Sequence, residues 1–234
     1  NLLPTDIQLS TSSFNENISA NSTIATLSTV DEDSSDTHTY SLVSGSSYDD
    51  SSHFSIDGSS LKINYSPDFE NKSSYKIRIQ STDSYDNTYS EALNLSVNDL
   101  NEAPTSWSFS TYYFDENIAA DSTIAIISAV DEDQSDTHTF ELIDGYVESS
   151  GNSNFYINGN QLKIKTSPDY ETQSSYTVVV RVTDAEGLTS PDLYNTLTVN
   201  DLADKNIGTP SNDTITGGDG IDEINALGGN DLIS

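Results

Sequence analysis

Val97-Asn98-Asp99-Leu100-Asn101-Glu102-Ala103-Pro104 stands near the middle of the chain, a strand-like end running into a short acidic connector closed by proline. Its first half returns as Val199-Asn200-Asp201-Leu202, and what precedes it returns in the same order. Phe14-Asn15-Glu16-Asn17-Ile18 recurs as Phe114-Asp115-Glu116-Asn117-Ile118, and Val30-Asp31-Glu32-Asp33 as Val130-Asp131-Glu132-Asp133. Ser66-Pro67-Asp68-Phe69-Glu70 recurs as Ser167-Pro168-Asp169-Tyr170-Glu171, and Thr82-Asp83 as Thr183-Asp184. Tandem units of a common domain size follow, at 1–100 and 101–203, with 204–234 as a linker and tail of another kind. Within a unit the apolar residues alternate, as in Tyr75-Lys76-Ile77-Arg78-Ile79 and Leu93-Asn94-Leu95-Ser96-Val97, or form short runs between Ser/Asp/Gly clusters. About seven strands at roughly 8–12-residue spacing predict an all-β, Greek-key sandwich for each unit. Asp57-Gly58 and Asn158-Gly159 read as hairpin turns.

Composition narrows the function. The chain has 38 acidic and 8 basic side chains, for a formal net charge of −30. A polyanion gains no counterion release on such a surface, which excludes nucleic acid as a partner, and an anionic membrane is disfavoured likewise. Strand-spaced apolar residues argue against disorder in spite of the Ser, Asn, Asp and Thr content. There is no cysteine to form a disulfide, and no signal peptide or membrane-length apolar run is present. The chain reads as an excised piece of something longer.

Because strands hold the alternating residues, the repeated carboxylates fall at strand ends. Glu16, Asp68 and Glu70 are expected at one end of the first sandwich, and Asp31, Asp33 and Asp83 at the other. The connector residues Asp99, Asn101 and Glu102 then bring the first group next to Asp131, Asp133 and Asp184 of the second unit. Gathered carboxylates repel unless a cation joins them. Calcium takes six to eight oxygens in flexible geometry, which this composition supplies, whereas zinc or iron would call for His or Cys, and the clusters are expected to hold none.

These pieces together resemble tandem cadherin-like modules of the dystroglycan type found in bacterial surface proteins. The resemblance covers residues 1 to about 202. It implies up to three calcium ions at the central junction. Glu16, Asp68, Glu70, Asp99 and Glu102 match ligands of two of them, and Asn101, Asp131, Asp133 and Asp184 match ligands of the third. Asp136 lies near the position of a family asparagine that has no clean match. At the C-terminal junction Glu116, Asp169, Glu171, Asp201 and Asp204 keep the near half, while Ala203 replaces the Asn101 ligand and Lys205 brings a positive charge close to the ions. Asn1, Asp31, Asp33 and Asp83 form a half-site at the N-terminus.

The tail has a period of nine, with Asp213, Asp222 and Asp231 at one place and Ile215, Ile224 and Ile233 two residues on. Gly217-Gly218-Asp219-Gly220-Ile221-Asp222 resembles a calcium-binding β-roll nonapeptide of repeats-in-toxin (RTX) proteins. That implies ions held by Asp213, Asp219, Asp222 and Asp231 and export by type I secretion.

Competing readings attach to several residues. Asp68 with Glu70 could be a glycosidase pair, but catalytic pairs are not duplicated at a module's repeat period. Trp107 stands where Ile7 stood and is expected in the core rather than on a sugar platform. His38 and His138 are expected as exposed strand positions. The sequence therefore predicts no enzyme. It predicts a calcium-dependent rigid extender or adhesion region of a secreted or surface-attached bacterial protein, of the kind found in biofilms. Its expected partners are calcium, neighbouring domains of the same chain, and a glycan or surface protein. A carbohydrate-binding module and homophilic adhesion are the alternatives.

Overall fold

The computed structural model describes residues 2–44, 50–202, 204–215 and 222–233, with backbone alone at 204–207 and 222. The chain divides into two compact units, Asn1–Asn101 and Glu102–Ser234.

The first unit contains β1 (Asp6–Leu9), β2 (Ser13–Asn15), β3 (Thr23–Val30), β4 (Thr39–Leu42), β5 (Phe54–Asp57), β6 (Ser60–Ile63), β7 (Ser74–Thr82) and β8 (Thr88–Asn98). They form two four-stranded sheets, in the orders β1-β3-β6-β5 and β2-β8-β7-β4. The alternation of β7 decides its face: Tyr75, Ile77 and Ile79 are buried, while Lys76 and Arg78 are exposed. These side chains pack with Ile7, Phe14, Leu61 and Ile63 between the sheets, as in aligned sandwiches generally.

The second unit repeats the plan with β9 (Ser106–Phe109), β10 (Tyr113–Asp115), β11 (Thr123–Val130), β12 (Thr139–Leu142), β13 (Phe155–Asn158), β14 (Gln161–Ile164), β15 (Ser175–Thr183) and β16 (Leu193–Asn200). Its sheets run β9-β11-β14-β13 and β10-β16-β15-β12. Trp107 is 5% exposed, and its indole N–H donates to Val180 O at 3.0 Å, so the core expectation holds. Gly58 and Gly159 sit in the expected turns with φ of 60° and 62°, a conformation open to glycine without strain.

Among the described residues each sandwich has eight strands rather than about seven. The added element is the three-residue β2, or β10, which crosses to the second sheet and pairs parallel with β8, or β16. Three residues are too few to show an alternation, so nothing in the sequence marked it as a strand.

The tail carries β17 (Asp204–Ile207), β18 (Thr214–Ile215), β19 (Asp222–Asn225) and β20 (Leu232–Ile233). β17 pairs parallel with β19, and β18 with β20, each pair eighteen residues out of step. Two nonapeptides thus make one turn of a parallel coil. Of the three repeated isoleucines, Ile215 is buried, Ile224 half-buried and Ile233 exposed, so the enclosure weakens along the coil.

Candidate metal centres

Each sandwich gathers carboxylates at both ends, and the local backbone explains how. Asn17 and Asn117 adopt φ of 58° and 59°, which asparagine tolerates better than most residues. Their N–H groups donate to Pro67 O and Pro168 O. This turn carries the preceding glutamate inward, and Glu16 and Glu116 are each only 2% exposed. Glu16 accepts hydrogen bonds from the amides of Phe69 (2.7 Å) and Leu100 (2.8 Å), one on each oxygen. Glu116 does the same for Tyr170 (3.0 Å) and Leu202 (2.6 Å). The glutamate is therefore a clamp between the Pro-Asp-aromatic-Glu loop and the chain leaving the last strand. Nothing in the Glu-Asn motif itself signals that second task.

Around this clamp, oxygens of Glu16, Glu70 and Asp99 lie within 4.8 Å of one another, as do those of Glu116, Glu171 and Asp201. Asp68 and Asp169 do not join these groups. Both are exposed, and each caps its own loop: Asp68 accepts the Asn71 amide at 2.8 Å, while Asp169 accepts the Thr172 amide and hydroxyl at 3.2 and 2.8 Å. The Thr172 bonds hold the Asp169 carboxyl below the usual carboxylate range.

At the opposite end of the first unit, oxygens of Asp31, Asp36 and Asp83 come within 4.8 Å of one another. Asp36 was not among the sequence candidates, although its repeat partner Asp136 was. Asp33 stands beside them, donating its amide to Asp31 and accepting the Leu2 amide at 2.5 Å. Asp83 is 5% exposed and organises its loop, accepting bonds from the Tyr85 and Asn87 amides and the Asn87 side chain. Desolvation pushes its carboxyl up, but those bonds and the nearby His38 hold it below the ordinary value.

The second unit reproduces this end in part. Asp133 donates its amide to Asp131 and accepts the Glu102 amide at 2.8 Å. Asp184, 5% exposed, accepts the amides of Glu186, Gly187 and Leu188 on one oxygen. Desolvation, followed by the charges of Asp133, Asp131 and Asp184, pushes the Asp136 carboxyl up. Crowding of this sign is what a bound cation would relieve.

His38 and His138 correct the sequence reading. Their side chains are only 12% and 15% exposed, and they precede β4 and β12 rather than lying in them. Their Nε2 atoms meet the carboxylates of Asp31 at 3.0 Å and Asp131 at 2.7 Å. The clusters at these ends are therefore not free of histidine, contrary to the expectation.

A calcium ion fits these groups on two counts. The donors are carboxylate oxygens that lie within 4.8 Å of one another in groups of three. In addition, Asp136 Oδ2 and Asp201 Oδ1 are buried with no hydrogen-bond partner among the described residues. Natural structures rarely leave such an atom unpaired without a water or ion to account for it. Asn101 and Glu102 are half-buried in the connector. Asn1 and Asp219 lie outside the described residues, as do the side chains of Asp204 and Asp222. In the coil, Asp213 accepts the Thr209 amide and hydroxyl, and Asp231 accepts the Asp213 amide at 2.9 Å, so both brace turns.

No family model matches the chain. Among curated proteins, it is 29% identical over 194 residues to protocadherin Fat 4 of Mus musculus, covering 80% of this chain. It is 31% identical over 183 residues to protocadherin Fat 1 of Homo sapiens, covering 74%. The chain spans only 4% of the length of either relative. Among solved structures, human protocadherin-24 EC1-2 superposes with a TM-score of 0.66 at 18% identity, covering 86% of this chain and all of the other. Extracellular cadherin domains 3-6 of protocadherin gamma B2 give 0.58 at 17% identity, covering 90% of this chain and 51% of theirs. The strand plan of the two units, with the first strand split between both sheets, is thus a cadherin-like fold repeated in tandem.

Proposed function

We propose that the chain is a calcium-stiffened extracellular spacer with an adhesive role, and that the ends of its sandwiches are calcium sites. The observation that carries this reading is the pair of buried, partnerless carboxylate oxygens, Asp136 Oδ2 and Asp201 Oδ1, each set among further carboxylates. Glu16, Glu70 and Asp99 would hold ions from one side of the connector, and Asp131, Asp133, Asp136 and Asp184 from the other, with Asn101 and Glu102 between. Each half is braced within its own unit, Leu100 being held by Glu16 and Glu102 by Asp133. Binding only the ordered connector stabilises it by mass action. Affinity belongs to the extracellular class, roughly 10⁻⁴ to 10⁻³ M.

The chain's own groups divide the work. Glu16 and Glu116 fix the loop and the exit strand, Asp83 and Asp184 fix the facing loops, and the remaining carboxylates offer oxygens. A C-terminal site of Glu116, Glu171, Asp201 and Asp204 holds fewer ions, since Ala203 replaces the oxygen donor Asn101 and Lys205 adds a positive charge nearby. The coil of two nonapeptides per turn supports the RTX reading and with it a bacterial adhesin exported by type I secretion. No catalytic role is assigned. Small-angle scattering with and without calcium tests the whole: the chain should be longer and narrower in distribution with calcium, and identical profiles would sink the reading. The protocadherin relatives favour homophilic adhesion as the second reading, which analytical ultracentrifugation in calcium would test through self-association.

A further inference from the structure

The two carboxylates that begin the Asp-Glu-Asp motif are held unusually tightly, and in the same way in both repeats. Asp31 accepts the Asp33 amide on Oδ1 at 3.0 Å and meets His38 Nε2 with Oδ2 at 3.0 Å. Asp131 accepts the Asp133 amide on Oδ1 at 3.2 Å and meets His138 Nε2 with Oδ2 at 2.7 Å. Both aspartate side chains are 3% exposed. An ionised carboxylate has about four acceptor directions, so one bond on each oxygen fixes its plane and leaves further lone pairs for a cation. The imidazole reaches over from the start of the next strand and makes no demand on the opposite end of the sandwich.

We propose that His38 and His138 are positioning residues of the calcium sites: through Nε2–H they lock the Asp31 and Asp131 carboxylates in the orientation that receives the ion. This rests on the calcium reading above. It explains why a histidine stands seven residues after the aspartate in both repeats, where any polar residue could cover a solvated loop. A metal-ligating carboxylate is commonly oriented by such an outer partner, and losing the partner typically lowers affinity about 10- to 100-fold. The bond needs a donor at the position of Nε2, not an aromatic ring or a charge.

The test is calorimetric calcium titration of the full chain in three double variants. H38F/H138F removes the donor, H38Q/H138Q returns an amide N–H at the reach of Nε2, and H38N/H138N supplies one that is too short. The expected result is wild-type binding, a loss of about tenfold or more in the Phe and Asn variants, and recovery to within about threefold in the Gln variant. Melting curves in chelator should be alike for the Gln and Asn variants, which keeps their comparison valid even where Phe impairs folding. Equal affinities for Gln and Asn would overturn the proposal, as would a lowered melting temperature in chelator with unchanged affinity, the mark of a purely structural contact. A wild-type chain that does not bind calcium would instead overturn the reading beneath it.

Discussion

In the first repeat β7 and β8 pair without interruption from Ser74 opposite Ser96 to Thr82 opposite Thr88. In the second the ladder between β15 and β16 stops at Val180 opposite Leu193. Ser190-Pro191 intervenes, and proline brings no N–H to a ladder. The Ser190 hydroxyl takes over by accepting the Val182 amide at 3.0 Å, and the Ser190 amide donates to Val182 O. Beyond the break Asp192 forks onto Arg181 with two 2.7 Å bonds and accepts the Tyr146 hydroxyl at 2.8 Å. The repeats also differ beside β7 and β15, where Asp50 in one and Gly151 in the other lie against the strand. Yet the glutamate clamps, the Asp-Glu-Asp turns and the histidine contacts agree bond for bond. Sheet edges have been rebuilt by different means, while these contacts at the carboxylate ends have not. That is the pattern the proposed calcium sites at the ends would produce.

The comparison breaks most visibly if calcium does not stabilise both repeats. At a hundredfold excess over the dissociation constant, each ion adds about 2.7 kcal/mol, so chelation should lower the melting temperature by on the order of 10 °C. The fall should be greater at low salt, where carboxylate repulsion is least screened. An unchanged melting curve would reduce the clusters to ordinary surface. Next in size, Glu16→Ala and Glu116→Ala each strip two amides of their acceptor and should each cost about 3 kcal/mol. Denaturant titration in chelator would show whether the two losses match, and a large inequality would mean that the clamps are not equivalent.

A smaller effect should separate the repeats. A Cβ at Gly151 would lie 2.5 Å from Thr177 O and 3.0 Å from Thr177 N, both of them backbone. Gly151→Ala should therefore destabilise the second unit by about 1–3 kcal/mol. Asp50→Ala places no new atom and should lose only its bond to the Lys76 amide and its pairing with Lys72. The smallest effect expected is one of pH. The Arg181 guanidinium holds the Asp192 carboxyl below its ordinary value. A depressed folded-state value gives stability that is present above the ordinary carboxylate range and is lost as pH falls through the folded value. Arg181→Met should flatten that acid limb for the second repeat, and equal acid limbs in variant and parent would remove the pair from the account.

Much of this was legible from the alternation of Ile77 and Ile79, which declares a half-buried strand, and from repeated carboxylates, which declare shared strand ends. What escaped notice depends on the third dimension. Asp68 and Glu70 differ by two residues, and nothing in their order says that one caps a turn while the other joins a cluster. Glu16 reads as a ligand because it is acidic, but its two amide bonds come from loops 53 and 84 residues away. His38 was misread because alternation was extended one residue before the strand begins at Thr39. The chain turns there, and the ring enters the cluster.

The three-residue β2 has a mechanical consequence. It runs parallel to β8, with Ser13 opposite Ser96 and Asn15 opposite Asn98. Tension applied at the two termini of the unit draws parallel neighbours past each other lengthwise. The bonds between them are then loaded together in shear instead of being unzipped one at a time. The same holds for β10 on β16. Forced unfolding is governed by the unfolding barrier rather than by equilibrium stability. A strand too short to be noticed in the sequence is thus arranged to resist a pull along the chain.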